Sequence, residues 1–339
     1  MPKSENSTKH LKALLFFSIF ISASNISAQP TIKIDGSSTV YPITKAVAEK
    51  FQLEQKNSVN VTVDISGSGG GFKKFCRGGI DIVNASRPIL KSEIKDCKNS
   101  RVQYVEIPVA FDALTVAVNS QNHWSTSMTV AQLKKLWEPA AQGKITRWNQ
   151  INPAWPDETI KLFGADTDSG TYDYFTEAIV GKTKTSRNDF TESVHDNVLV
   201  DGVINNKNGL GFFGFAYYIE NANKVTAVAI DNGEGAILPS VETVENGSYQ
   251  PLSRPIFIYV NIKAADKPEI KRFVEFYMKN ALLIVKEAKF FPLPPRAYTT
   301  MLEHFNKKRV GTVFDGVSAV GLTIDELIRR EGRLEFEHH

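Results

Sequence analysis

Three short polar segments place hydroxyl-bearing residues beside glycine just ahead of helix-like sequence. They are Gly36-Ser37-Ser38-Thr39-Val40, Ser66-Gly67-Ser68-Gly69-Gly70-Gly71 and Asp168-Ser169-Gly170-Thr171. A helix N-terminus presents unpaired N–H groups and the positive end of the helix dipole. Glycine lets the backbone approach a ligand closely, and serine or threonine adds a hydroxyl donor. The chemistry on offer is capture of an oxyanion. The first segment supplies the Ser38 and Thr39 hydroxyls and the N–H groups of Thr39 and Val40. The second supplies Ser68, and the third the Ser169 and Thr171 hydroxyls with the Gly170 N–H. One such turn is an ordinary N-cap; three supply donors from several directions, as a tetrahedral anion requires. Asp168 is either a helix cap or an acceptor for a proton carried by the anion. An acceptor there would repel a fully ionised dianion such as sulfate and hydrogen-bond a protonated phosphate.

Rival chemistries fit these residues less well. A P-loop needs Gly-Lys-Ser/Thr at its end, whereas Gly71 is followed by Phe72-Lys73-Lys74. A serine-hydrolase elbow needs Gly-x-Ser-x-Gly, and Ser66 stands where the first glycine should be. A phosphohydrolase with a serine nucleophile would need a base or metal cluster beside Ser38, Ser68 or Ser169. His195-Asp196 is the one suggestive pair, expected at the start of a helix in a structural role. The six histidines show no metal-ligand spacing, so neither a metal nor a cofactor is expected, and no catalytic residue is assigned. Trp137, Trp148, Trp155, Phe212, Phe213, Tyr217 and Tyr218 read as core and interlobe surface.

The elements that must position the three turns alternate between strand and helix, which argues an α/β fold. Strands are expected at Thr31–Ile34, Val59–Ser66, Asp81–Ala85, Val102–Ala110, Leu114–Asn119, Ile160–Gly164, Leu210–Phe215, Val225–Ile230 and Pro255–Val260. Helices are expected from Tyr41 to about Gln55, Gly70 to about Cys76, Thr129–Trp137, Thr171–Ile179, Asn197–Asn205, Lys267–Val285 and Tyr298–Phe305. The nearly continuous strand pair around 102–119 and the strand at 255–260 read as crossings between two lobes. The charged stretch from Glu331 to the end reads as loose.

The first 28 residues read as an export signal: Lys3, Lys9 and Lys12, an apolar run from Ala13 to Ile21, then SASNISA with cleavage near Ala28. The apolar run is too short to span a bilayer as a helix. Roughly 310 residues remain, enough for two lobes with their own cores. The formal charge of +3 includes three lysines and one glutamate from the signal, so the rest sits near +1. That gives no basic surplus for nucleic acid, and anion selectivity must be local. Cys76 and Cys97 are the two cysteines. In an exported chain such a pair reads as one disulfide, closing a loop of about 20 residues worth about 3 kcal/mol.

The segments GSSTVYPI, ISGSGGGFKKFC, DIVNASRPI, FGADTDSGTYDYF and GLGFFGFAYY stand in an order and spacing that resemble the periplasmic phosphate-binding proteins feeding high-affinity phosphate ABC importers, the PstS family. The resemblance covers essentially the whole chain after the signal. It implies a two-lobed type II periplasmic-binding-protein fold, with two Rossmann-like lobes joined by two crossing strands. Residues 29–112 and 253–334 would form lobe I, residues 113–252 lobe II, and 335–339 a loose tail. It implies that dehydrated phosphate is held between the lobes by hydroxyls, backbone N–H groups and one arginine, then passed by a monomer to membrane permease subunits.

By position, Ser38, Thr39 and Val40 match the first phosphate loop, Ser68 the second, and Ser169, Gly170 and Thr171 the third. Two departures stand out. Many members have aspartate after the serine where this chain has Arg87, and many carry the phosphate arginine where this chain has Ala165. The resemblance therefore suggests that the positive charge is relocated to Arg87, whose guanidinium would fork onto two oxygens. Asp168 is then the first candidate for the proton acceptor and Asp112 the second, or else a partner of Arg87; Asp35 is more distant. Sulfate, arsenate or molybdate is the alternative ligand class.

Overall fold

The computed structural model describes residue 1 and residues 29–317 and 319–333. The expected export signal and the tail at 335–339 therefore lie outside the described residues. The strands are β1 (Thr31–Gly36), β2 (Asn60–Val63), β3 (Ile82–Ala85), β4 (Tyr104–Asn119), β5 (Ser127–Thr129), β6 (Lys161–Ala165), β7 (Thr191–Ser193), β8 (Gly209–Gly214), β9 (Val225–Ala227), β10 (Ala229–Asp231), β11 (Ala236–Ile237) and β12 (Ser253–Asn261). The α-helices are α1 (Tyr41–Glu54), α2 (Gly67–Phe75), α3 (Lys91–Asn99), α4 (Val130–Trp137), α5 (Gly170–Phe175), α6 (Asp196–Ile204), α7 (Phe215–Glu220), α8 (Val241–Glu245), α9 (Ile262–Ala265), α10 (Pro268–Glu287), α11 (Pro295–Asn306) and α12 (Ile324–Arg333).

The fold is the two-lobed type II architecture. One sheet runs in the order β2-β1-β3-β12-β4-β8-β6-β7, with β9 also on β4. The strand β4 is shared between the lobes: Tyr104–Ala113 pairs antiparallel with β12, and Leu114–Val118 pairs antiparallel with β8. All sixteen of its residues are buried, Glu106 and Asp112 included, so the strand lacks the buried–exposed alternation of a half-exposed sheet. The sequence expectation of two strands here merges into this single element. Conversely, the expected strand at Val225–Ile230 divides at Val228. Its first part joins β4 and its second forms a separate small sheet with β5 and β11.

Helix α10 shows how local sequence positions a scaffold element. Its proline at the first turn suits a helix start, and Ile270, Phe273, Val274, Tyr277, Met278, Ala281, Ile284 and Val285 fall on one buried face. Phe273 packs edge-to-face on Phe51 of α1 at 5.3 Å. Cys76, at the end of α2, is bridged to Cys97 of α3, as expected. The C-terminal stretch departs from expectation: α12 extends to Arg333, with Leu327 and Glu331 buried on its inner face.

Candidate functional site

The three polar turns converge where the two lobes meet. Thr39 leaves β1 ahead of α1, and Thr171 lies in the first turn of α5, in the opposite lobe. Their hydroxyl oxygens are 3.1 Å apart. Arg254, near the start of β12, reaches both: its Nη2 donates to Thr171 Oγ1 at 2.9 Å and to Thr39 Oγ1 at 3.3 Å. Nη1 donates to the Gly170 carbonyl at 3.3 Å. The same guanidinium is held from β4 by Asp112, whose Oδ2 accepts from Nη2 at 2.9 Å and from Nε at 3.2 Å. Both side chains have no solvent exposure. The guanidinium lies 5.6 Å from the centre of the Tyr174 ring. The Tyr174 hydroxyl donates to the Ser253 carbonyl at 2.6 Å, fixing the start of β12.

Ser38 points to a second buried carboxylate. Its hydroxyl donates to Asp196 Oδ1 at 2.8 Å, and the Gly214 N–H donates to Asp196 Oδ2 at 3.1 Å. Asp196 opens α6 in the other lobe. Burial pushes its carboxyl above the usual carboxylate range; the Gly214 and Ser38 hydrogen bonds only partly oppose this, and Asp112 adds to it. The neighbouring His195 is exposed and precedes the helix, in the structural position expected of it.

Ser68 sits in the first turn of α2 and is fully buried. Its oxygen accepts from the Ser86 N–H at 3.0 Å and lies 3.2 Å from the Ser86 hydroxyl. Both hydroxyls face Gly170: a Cβ there would stand 2.3 Å from Ser68 Oγ and 2.6 Å from Ser86 Oγ. Glycine is thus required at 170 for the lobes to meet. Gly67 is required for two reasons, a φ of +72° and a would-be Cβ 2.4 Å from the Asp168 carbonyl oxygen. Ser169 caps α5, its side chain accepting from the Thr171 N–H at 3.1 Å. Val40 is buried, and its N–H is directed to Ser37 Oγ at 3.4 Å.

Four residues singled out from the sequence, Arg87, Asp168, Asp112 and Asp35, have other partners than those expected. Arg87 does not point at the Thr39–Thr171 pair. Its Nε donates to Asp173 at 2.6 Å, and Nη1 and Nη2 each donate to Glu93 at 2.8 Å. The arginine at the hydroxyls is Arg254, which sequence reasoning did not single out. Asp168 pairs with Lys73 at 2.7 Å, with its side chain 43 % exposed. Asp112 is buried at the site, but its partner is Arg254 rather than Arg87. Asp35 is spent within its own lobe, accepting from Ser66 at 2.8 Å and pairing with Lys74. Among the described residues no group of three His, Cys, Asp or Glu is placed to hold a metal ion.

Hydroxyls from two α/β lobes meet at the buried Arg254 guanidinium, and this two-lobed frame is that of the periplasmic-type binding proteins. The chain matches the PBP superfamily domain over residues 22–281 and belongs to that family. It is 50 % identical over 324 residues to Protein SphX of Synechocystis sp., covering 95 % of this chain and 96 % of that one. It is 38 % identical to the phosphate-binding protein PstS of Staphylococcus saprophyticus, over 79 % of this chain and 82 % of the other. Among solved structures, a possible phosphate binding protein from Planctomyces limnophilus superposes with a TM-score of 0.62 at 44 % identity, covering 83 % of this chain and 99 % of that one.

Proposed function

We propose that this protein captures inorganic phosphate between its two lobes and delivers it to a membrane ABC importer. The observation that carries the reading is Arg254. It is a buried guanidinium whose Nη2 reaches hydroxyls from opposite lobes, Thr39 and Thr171, and a buried positive charge among hydroxyl donors suits a tetrahedral oxyanion. The names of the relatives, PstS above all, fit the same ligand. In this reading phosphate lies among Ser38, Thr39, Val40, Ser68, Ser169, Gly170, Thr171 and Arg254, with hydroxyls and backbone N–H groups as donors.

Two carboxylates, Asp112 and Asp196, flank one guanidinium. Asp112 serves to orient and neutralise Arg254. Asp196, bonded to Ser38, accepts a phosphate hydroxyl in its ionised form, and sulfate, which has no proton to donate, meets only repulsion there. No step alters the ligand covalently, and the protein acts as a receptor rather than an enzyme. No helix among the described residues is long and apolar enough to cross a membrane. The protein works in the periplasm, after cleavage near Ala28. Its lobes are residues 29–112 with 253–334, and residues 113–252, hinged where β4 and β12 cross.

Calorimetric titration tests this. The protein from residue 29 onward is unfolded, stripped of anion, refolded, and titrated with phosphate and sulfate at pH 5 and pH 8. Tight binding of phosphate without sulfate is expected. Equal binding of sulfate would reassign the ligand class, and binding of neither would remove the anion site.

A further inference from the structure

The lobes are also joined by a buried charge pair that lies outside the Thr39–Thr171–Arg254 cluster. Arg87 follows β3 in one lobe, and Asp173 lies in α5 of the other. Arg87 Nε donates to Asp173 Oδ2 at 2.6 Å, and the side chains are 4 % and 0 % exposed. The two ends are unequally supported. The arginine is preset by its own lobe: Glu93 of α3 takes Nη1 and Nη2, the Pro88 carbonyl accepts from Nη1 at 3.0 Å, and the Phe72 ring lies 5.6 Å away. Glu93 is itself held by the Leu90 N–H at 2.9 Å. Asp173 has much less. Its Oδ1 has no hydrogen-bond partner, and Lys184 Nζ stands 3.9 Å away. If the lobes part, Arg87 keeps Glu93 and Asp173 returns to water.

The pair also has a telling position along the chain. Arg87 directly follows Ser86, which contacts Ser68, and Asp173 lies two residues past Thr171. The contact thus ties the second polar turn to the third. We propose that Arg87 and Asp173 form a latch made only in the closed protein, which holds the Gly170–Thr171 turn over Ser68 and Ser86 and so sets how long a bound anion is retained without touching it. Arg87 and Asp173 are positioning residues in this sense. A buried charged contact present only after closure acts on dissociation, whereas encounter with the open cleft does not sense it.

The latch rests on the phosphate reading only for its ligand-release arm, so the experiment has two arms. Asp173→Asn removes the charge while Arg87 stays paired with Glu93, so the variant keeps its folded core. In the first arm, fluorescent probes at Glu54 and Asn197 report lobe separation in ligand-free protein. Asp173→Asn is expected to shift the population toward the open form. In the second arm, stopped-flow kinetics follow phosphate. Release is expected to quicken about 10- to 100-fold with the association rate unchanged, and Asp173→Asn with Arg87→Gln should be no faster than the worse single variant.

A lowered Tm with unchanged lobe separation and release would overturn the latch and leave the pair as a fold-stabilising contact. Additive effects of the two substitutions would overturn it as well. Wild-type protein that fails to bind phosphate, with the separation still shifted by Asp173→Asn, would sink the phosphate reading and leave the latch standing.

Discussion

Arg254 and Asp112 stand directly opposite each other in the antiparallel register of β12 and β4, at the point where the chain passes from one lobe to the other. The charge at the centre of the cleft is therefore built into the crossing strands. It needs no loop to close over it, and the hydroxyls of the two lobes approach it from either side.

Replacing Arg254 separates its two duties. Arg254→Lys keeps a positive charge but loses the planar fork that reaches Thr39, Thr171 and Asp112 together. Phosphate affinity should fall about 10- to 100-fold, the scale of a charged hydrogen bond, as read by calorimetry. Arg254→Ala should also destabilise the ligand-free protein by about 3–5 kcal/mol, because Asp112 is left buried and unpaired. Adding Asp112→Ala should recover part of that loss in denaturant melts.

Asp196 carries a pH signature. Its folded pKa lies above the unfolded value because burial disfavours the charged form. Such a group contributes stability in acid, which is lost as pH rises through the folded pKa. Asp196→Asn should therefore raise the Tm of ligand-free protein at pH 8, with the gain vanishing as pH falls below the usual aspartate range. The same variant should weaken phosphate binding and admit sulfate. Unchanged selectivity would return the acceptor role to Asp112.

Gly170→Ala tests the closeness of the lobes. The added methyl would collide with Ser68 and Ser86 across the cleft, while the helix that carries it tolerates alanine. Phosphate affinity should drop at least about 100-fold with the ligand-free Tm nearly unchanged, consistent with the steepness of packing repulsion. A wild-type affinity would show that closure leaves more room than the structure gives.

Far from the cleft, Glu106 of β4 and Glu331 of α12 are both held well above the usual range, to about 8, chiefly by burial and, for Glu106, also by repulsion from Glu331. The Tyr259 hydroxyl and the Val313 N–H donate to Glu106, and His304 Nδ1 lies 3.6 Å from Glu331. Folded values above unfolded ones mean that stability is lost as pH rises through the region of 8. Melting curves from pH 6 to pH 9.5 should show a falling Tm, and Glu331→Gln should flatten that fall.

The three polar turns were legible in the sequence because their signal is local: hydroxyls, glycine and a following helix occupy a few residues each. The arginine was not. Arg254 lies in a strand whose nine residues are all buried, and Asp112 in another that is buried throughout. The available signal was a pair of opposite charges inside two apolar runs, meaningful only once those runs are paired. Arg87 misled for the converse reason. It follows a strand beside the second turn, but its partners, Glu93 and Asp173, come from α3, which the strand–helix pattern missed, and from the far lobe. The merging of the crossing strands was obscured at Phe111-Asp112-Ala113, whose aspartate β4 accommodates within its buried run.

The sheet order β3-β12-β4 also dictates a sequence of events during chain assembly. The strand that fills the middle of the first lobe is made after the whole intervening lobe, more than a hundred residues later than its neighbours. The first lobe therefore stays an incomplete sheet with an open slot between β3 and β4 until the chain has been released past Asn261, whereas the second lobe lacks nothing by then. The last strand to arrive brings Arg254 with it, so the buried Arg254–Asp112 pair forms only once the sheet of the first lobe is completed.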